Sequence, residues 1–148
     1  LGISELRGIG AVGKAMSTAA IWREGNFLRG TLMEYRLSQT IYKGLEHLSE
    51  TVSPFFRTID FYDEAAQVGV SLKTVNAKEN FVFKNITDNI DALVAAKNAG
   101  SISSNGAERT LKSVRLDIVI PKGYDRRVLD DVGRYAKDKK IPLKIFEQ

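Results

Sequence analysis

The period of apolar and polar positions changes several times along this chain, and each change predicts an element. Ala15, Met16, Ala19 and Ala20 recur at helical spacing with Ile9 and Val12. That predicts a small-residue helix starting near Gly13, after a flexible glycine-rich approach. Across residues 31–48, Leu37, Ile41, Leu45 and Leu48 form an apolar stripe, and Thr31 with Glu34 matches the Ser/Thr-x-x-Glu capping box. The pattern therefore predicts a long helix opening at Thr31. Ser53-Pro54 breaks the chain. Residues 56–62 and 68–75 are rich in aromatic and β-branched side chains on either side of a turn at 63–67, which reads as a β-hairpin. Ile86, Ile90, Leu93 and Val94 predict a helix over 85–98, and the Gly/Ser/Asn-rich 100–106 reads as a flexible loop.

Val114, Leu116, Ile118 and Ile120 alternate with Arg115, Asp117 and Val119, the pattern of a half-buried strand. Pro121-Lys122-Gly123 ends it. Asp125 then caps a last helix with Val128, Leu129, Val132 and Ala136 toward the core, and 143–146 forms a closing strand. A strand-helix-strand ending implies a parallel crossover beside the antiparallel hairpin. The expected fold is a single α/β domain, a central mixed β-sheet flanked by helices.

Composition narrows the chemistry. The chain has 148 residues, enough for one domain with a real core. It has no cysteine, which excludes disulfides, thiol nucleophiles and Cys-based zinc sites. A single histidine, His47, excludes a two-histidine acid/base pair and a multi-histidine metal centre within this chain. His47 itself reads as a surface or half-buried helix residue. The net charge of +4 fits a polyanionic partner without requiring one. Lys112, Arg115, Lys122, Arg126, Arg127, Arg134 and Lys137 crowd the last third, either as a solvated face or as a phosphate-backbone contact. No apolar run reaches the roughly 18 residues of a membrane span. The chain shows no signal-peptide pattern and reads as a piece of something longer. Gly8-Ile9-Gly10-Ala11-Val12-Gly13 matches the dinucleotide-binding string, but that motif needs a preceding strand, and residues 1–7 offer none.

The hairpin carries the candidate chemistry. Side chains alternate along a strand, so Ser71 and Lys73 share a face, and Asp60 joins them in the right register. A carboxylate suits a hard divalent cation, and a nearby lysine can stabilise charge as a phosphodiester is cleaved. A polar hairpin face kept wet explains the same residues without chemistry. Glu34 likewise has two readings, the partner of Thr31 in the capping box and a second metal ligand. Glu24, Asp63 and Glu64 are alternative acids. Trp22, Phe27, Phe55 and Phe56 read as core rather than as stacking platforms.

The runs Thr58-Ile59-Asp60-Phe61-Tyr62-Asp63 and Val68-Gly69-Val70-Ser71-Leu72-Lys73-Thr74-Val75 resemble the central hairpin of a known family. It comprises C-terminal toxin domains of contact-dependent growth inhibition proteins, in the branch with a restriction-endonuclease-like, PD-(D/E)xK-type fold that cleaves tRNA. Val119-Ile120-Pro121 with the following helix and strand is similar to the family's final β-α-β segment, and Gly30-Thr31-Leu32-Met33-Glu34 to its acidic helix. The resemblance covers about residues 25–147. It implies Asp60 as metal-binding acid, Lys73 as catalytic lysine, Glu34 as the helical glutamate and second metal ligand, and Ser71 where a hydroxyl replaces the superfamily's usual carboxylate. The implied cofactor is a divalent metal such as Mg²⁺.

The implied function is a toxin endonuclease that cuts tRNA in the cytoplasm of a target cell, delivered at the tip of a larger secreted surface protein. A cognate immunity protein blocks it, and participation of a host activating protein stays open. Freedom from cysteine suits an oxidising periplasm. Residues 1–25 would be a linker or cell-entry helix and 26–148 the nuclease domain. Two rivals remain, a DNase of the same fold and a non-catalytic RNA-binding module.

Overall fold

A computed structural model describes residues 3–53, 56, 58–76 and 82–148. Three helices open the chain, α1 (Ile3–Ala15), α2 (Thr18–Ile21) and α3 (Asn26–Ser38). A two-residue strand β1 (Glu46–His47) and the short α4 (Leu48–Thr51) follow. Then come the hairpin strands β2 (Phe61–Asp63) and β3 (Val68–Thr74), and the long α5 (Val82–Ala99). A second hairpin, β4 (Ser101–Ser104) and β5 (Ala107–Thr110), leads into the central strand β6 (Ser113–Ile120). A 3-10 turn at Arg126–Leu129, α6 (Asp130–Asp138) and β7 (Leu143–Glu147) complete the fold.

Five strands form one sheet in the order β1-β2-β3-β6-β7. The β1, β2 and β3 pairings are antiparallel, while β3, β6 and β7 run parallel. The sheet is therefore mixed, and the crossover through α6 joins two parallel neighbours as the strand-helix-strand ending required. Each face carries its own core. On one, Leu116, Ile118 and Ile120 of β6 pack with Ile86, Ile90 and Leu93 of α5 and Val132 of α6. On the other, Phe61, Val70, Leu72 and Val119 pack with Leu32, Met33 and Leu37 of α3.

Several elements differ from the sequence reading. The first helix ends near Gly13 rather than beginning there. Gly10 and Gly13 let α1 lie close on α3, since a Cβ on Gly10 would stand 2.6 Å from the Tyr35 ring. The third helix starts at Asn26, capped by Gly25 without a side-chain bond. Thr31 is thus inside the helix, where its hydroxyl donates to the Phe27 carbonyl, and no capping box forms. The helix stops at Ser38, so the residues after it turn back and supply β1. The 100–106 loop is mostly the β4–β5 hairpin, turning at Asn105 and Gly106, both at positive φ.

Strand β6 is buried on both faces rather than one, because helices cover both sides of a parallel core. Its Asp117 is 0% exposed, accepting from the Tyr42 hydroxyl at 2.7 Å and from Arg115 Nε at 3.1 Å. Burial, and then Asp117, push the Tyr42 hydroxyl pKa far above its ordinary value. Val128 falls on the 3-10 turn and faces solvent. Pro54 and Phe55 lie outside the described residues.

Candidate active site

The C-terminal end of β3 opens between α3 and α5 into a cavity of about 490 Å³. Glu34, Asp60 and Lys73 all line it, with Arg29, Thr74 and Asp88. Each arrives from a different element. Glu34 projects from the middle of α3. Lys73 comes from the exposed end of β3. Asp60 sits just before β2, after Thr58, whose φ of +73° is a strained left-handed conformation for a β-branched residue.

The hairpin register sets the second of these relationships. Phe61 pairs with Val70, and the Asp60 amide, just before the strand, also donates to the Val70 carbonyl at 2.8 Å. The Asp60 carboxylate then accepts from the Leu72 amide at 2.7 Å. Ser71 faces α5 instead. It is 1% exposed, donates to Asn89 Oδ1 at 3.1 Å and does not line the cavity. The structure thus gathers three of the four residues singled out in the sequence around one cavity and sets Ser71 into the layer beneath, against α5.

Glu34 and Asp60 form a carboxyl pair within hydrogen-bonding reach. Burial first, then the Glu34 charge, hold Asp60 well above the usual carboxylate range, opposed by the Leu72 amide and the Lys73 charge. Glu34 is held firmly. Its Oε1 accepts from His47 Nε2 at 2.6 Å and from Ser49 Oγ at 2.7 Å. His47 is therefore a buried strand residue, not a surface helix residue. Its ring stacks on Phe61 at 4.9 Å and meets Tyr35 edge-on at 4.6 Å. Among the described residues its Nδ1 has no hydrogen-bond partner, with Glu50 Oε2 at 3.6 Å.

A divalent cation suits this donor set. Two abutting carboxylates, one of them strongly disfavoured as an anion, concentrate negative charge that a hard cation would neutralise. Among the described residues no group of three or more His, Asp or Glu side chains is arranged to hold a metal. Glu34 and Asp60 would then bind it with waters and substrate oxygens filling the other positions, the usual arrangement for Mg²⁺.

Sequence reading missed His47, Ser49, Arg29 and Asp88 as neighbours of the site. Asp88 would have been found only by orienting α5, and His47 only by knowing that the chain reverses after Ser38. The other acids do different work. Asp63 accepts from the Ala66 amide in the hairpin turn, and Glu24 lies beside a separate groove. Phe27 is 69% exposed at the cavity rim rather than in the core. In the basic last third, Arg115, Arg126, Arg127 and Arg134 pair with Asp117, Glu147, Asp125 and Asp131, which reduces the charge left for a polyanion.

The fold is similar to that of a solved CdiA-CT/CdiI toxin and immunity complex from Yersinia pseudotuberculosis. The match has a TM-score of 0.56 at 18% identity and covers 78% of this chain and 97% of that one. No curated protein sequence matches the chain. A family model described as the CDI toxin restriction endonuclease-like domain matches residues 29–146, from the first turns of α3 to the end of β7. The chain belongs to the CDI toxin restriction endonuclease-like domain family.

Proposed function

We propose that the cavity hydrolyses nucleic-acid phosphodiester bonds with a divalent metal, and that tRNA in a target cell is its substrate. The observation that carries this reading is the Glu34–Asp60 carboxyl pair facing Lys73 across one open cavity. Glu34 and Asp60 would hold the cation, which when bound polarises the phosphoryl oxygen and favours ionisation of water. His47 and Ser49 fix Glu34 in place, and the Leu72 amide fixes Asp60. The Lys73 ammonium faces the charge that grows on the non-bridging oxygens as water adds to phosphorus and the P–O ester bond breaks. The products are a phosphate monoester and a free hydroxyl, the leaving oxygen taking up a proton.

A second substrate class is favoured by a specific observation. Nothing in this chemistry uses a ribose 2′-hydroxyl, and the chain's one histidine is bonded to Glu34. The same machinery therefore accepts a DNA phosphodiester, and a DNase is the alternative. An immunity protein in the producing cell would be the natural partner, since the solved protein of similar fold is a toxin and immunity complex, and one that covered the cavity would block this chemistry.

Purified domain incubated with total tRNA and with plasmid, in Mg²⁺ and in EDTA, decides among these readings. Discrete tRNA fragments with Mg²⁺, absent in EDTA and in Lys73→Ala, are expected. Cleavage of plasmid alone would make the protein a DNase. Intact substrate in every lane would overturn the hydrolytic reading.

A further inference from the structure

The first turn of α3 presents an aromatic ring and an arginine beside the cavity, and neither has a role in the chemistry above. Phe27 is 69% exposed, unusual for a phenylalanine, and it lines the cavity wall. Arg29 is 3% exposed overall. Its Nε donates to Thr74 Oγ1 at 3.2 Å and Nη1 to Asn26 Oδ1 at 3.1 Å, while the guanidinium lies 5.6 Å from the centre of the Trp22 ring.

Arg29 also lines a second groove of about 430 Å³, with Trp22, Arg23, Asn76 and Pro121. The two hollows share Asn26 and Arg29, so they are adjacent. A guanidinium held by neighbouring side chains, Thr74 and Asn26 among them, and backed by an indole is already oriented, so little rotamer freedom is lost when it takes a phosphate. An exposed ring at the rim matches the flat face of an unpaired base.

We infer that the first turn of α3 is a strand grip. Phe27 stacks a base next to the bond being cut, and Arg29 binds the neighbouring phosphate as the strand passes into the Trp22–Arg23 groove. The inference rests on the nuclease reading above. It assigns the substrate a single-stranded or frayed segment at the cavity, because a base stacked on Phe27 must leave its own helix.

The test is binding of a labelled single-stranded 12-mer in EDTA, where no cleavage intervenes, followed by anisotropy. Phe27→Ala should weaken binding about tenfold. On an oligomer abasic at the positions contacted, the same variant should bind like wild type. Arg29→Gln should weaken binding about tenfold and lower the salt slope by about one phosphate, with Arg29→Lys recovering part of the loss. The chain has one tryptophan, so emission from Trp22 should change saturably as the groove fills. If Arg29→Gln does not fold, the exposed Arg23→Gln and Phe27→Ala carry the test.

Equal affinities for wild type, Phe27→Ala and Arg23→Gln would overturn the grip. So would a Phe27→Ala loss that persists undiminished on the abasic oligomer. A wild-type protein that cleaves nucleic acid while these variants bind unchanged defeats the grip alone. One that neither binds nor cleaves defeats the nuclease reading as well.

Discussion

His47 Nε2 lies 2.6 Å from Glu34 Oε1, joining β1 to the middle of α3 across the rim of the sheet. Ser49 donates to the same oxygen, so one side of the Glu34 carboxylate is saturated and its direction fixed. A carboxylate oriented this way meets a cation with less loss of rotamer freedom, the general role of groups placed behind metal ligands. Ser49→Ala should therefore weaken Mg²⁺ or Mn²⁺ binding about tenfold, measured by calorimetry, with little change in fold. His47→Ala should do the same and also lose about 2–4 kcal/mol of stability, because it removes a buried stacked ring as well as a hydrogen bond. Unchanged metal affinity in Ser49→Ala would mean that Glu34 is held by something else.

Asp60 and Lys73 should separate stability from activity. Asp60 is buried beside Glu34, and both burial and that neighbouring charge disfavour its ionised form. Asp60→Asn keeps an oxygen for the Leu72 amide while removing the charge. In metal-free buffer at neutral pH it should stabilise the fold by about 1 kcal/mol, read from urea midpoints, and abolish cleavage. Lys73 is exposed, so Lys73→Ala should change the midpoint little and lower kcat by about a hundredfold or more. A destabilised Asp60→Asn would show that the carboxylate is structurally required.

The hairpin was legible because it is local. The alternation in 68–75 and the turn at 63–67 fix β2 and β3, and the register that pairs Phe61 with Val70, with Asp60 just before it, follows from them. The parallel ending was legible for the same reason. The boundaries of α3 were not, because Thr31 and Glu34 satisfy a local capping signature while the actual start at Asn26 follows Gly25, which makes no side-chain cap. The destination of Ser71 was hidden too. Strand periodicity gives the face, but only the placement of α5 puts Asn89 over that hydroxyl. The Glu34–His47 bond depends on a chain reversal after Ser38 that no periodicity announces.

The glycines of α1 offer a matched pair. A Cβ on Gly10 would strike the Tyr35 ring, whereas one on Gly8 would meet nothing within 4 Å. Both residues are helical, so Ala is favoured over Gly by about 1 kcal/mol at each position before packing is counted. Gly8→Ala should stabilise the protein by roughly 0.5–1 kcal/mol. Gly10→Ala should destabilise it by about 1–3 kcal/mol through overpacking against Tyr35. Thermal or urea unfolding of the two variants side by side checks the contrast. Equal effects would mean that α1 does not sit on α3 in solution.

The β4–β5 hairpin lies outside the main sheet and is tied to its edge by a bidentate pair, Arg109 Nε to Glu46 Oε1 at 2.7 Å and Nη2 to Oε2 at 2.9 Å. The Arg109 hydrogen bonds hold the Glu46 pKa below its ordinary value, against a smaller opposing effect of burial. The depressed folded-state pKa fixes the sign of the linkage. Above the unfolded pKa of about 4.3 the pair contributes its full stability. As pH falls through the lower folded pKa, Glu46 takes up a proton and that contribution disappears. The pair is partly solvated, so its worth is about 0.5–1 kcal/mol. Arg109→Ala should therefore lower stability by that amount at pH 7 and converge on wild type at an acid pH below the lowered folded-state pKa of Glu46. Urea denaturation at both pH values measures the difference. A gap that persists unchanged at low pH would assign the loss to packing of the arginine stem rather than to its charge.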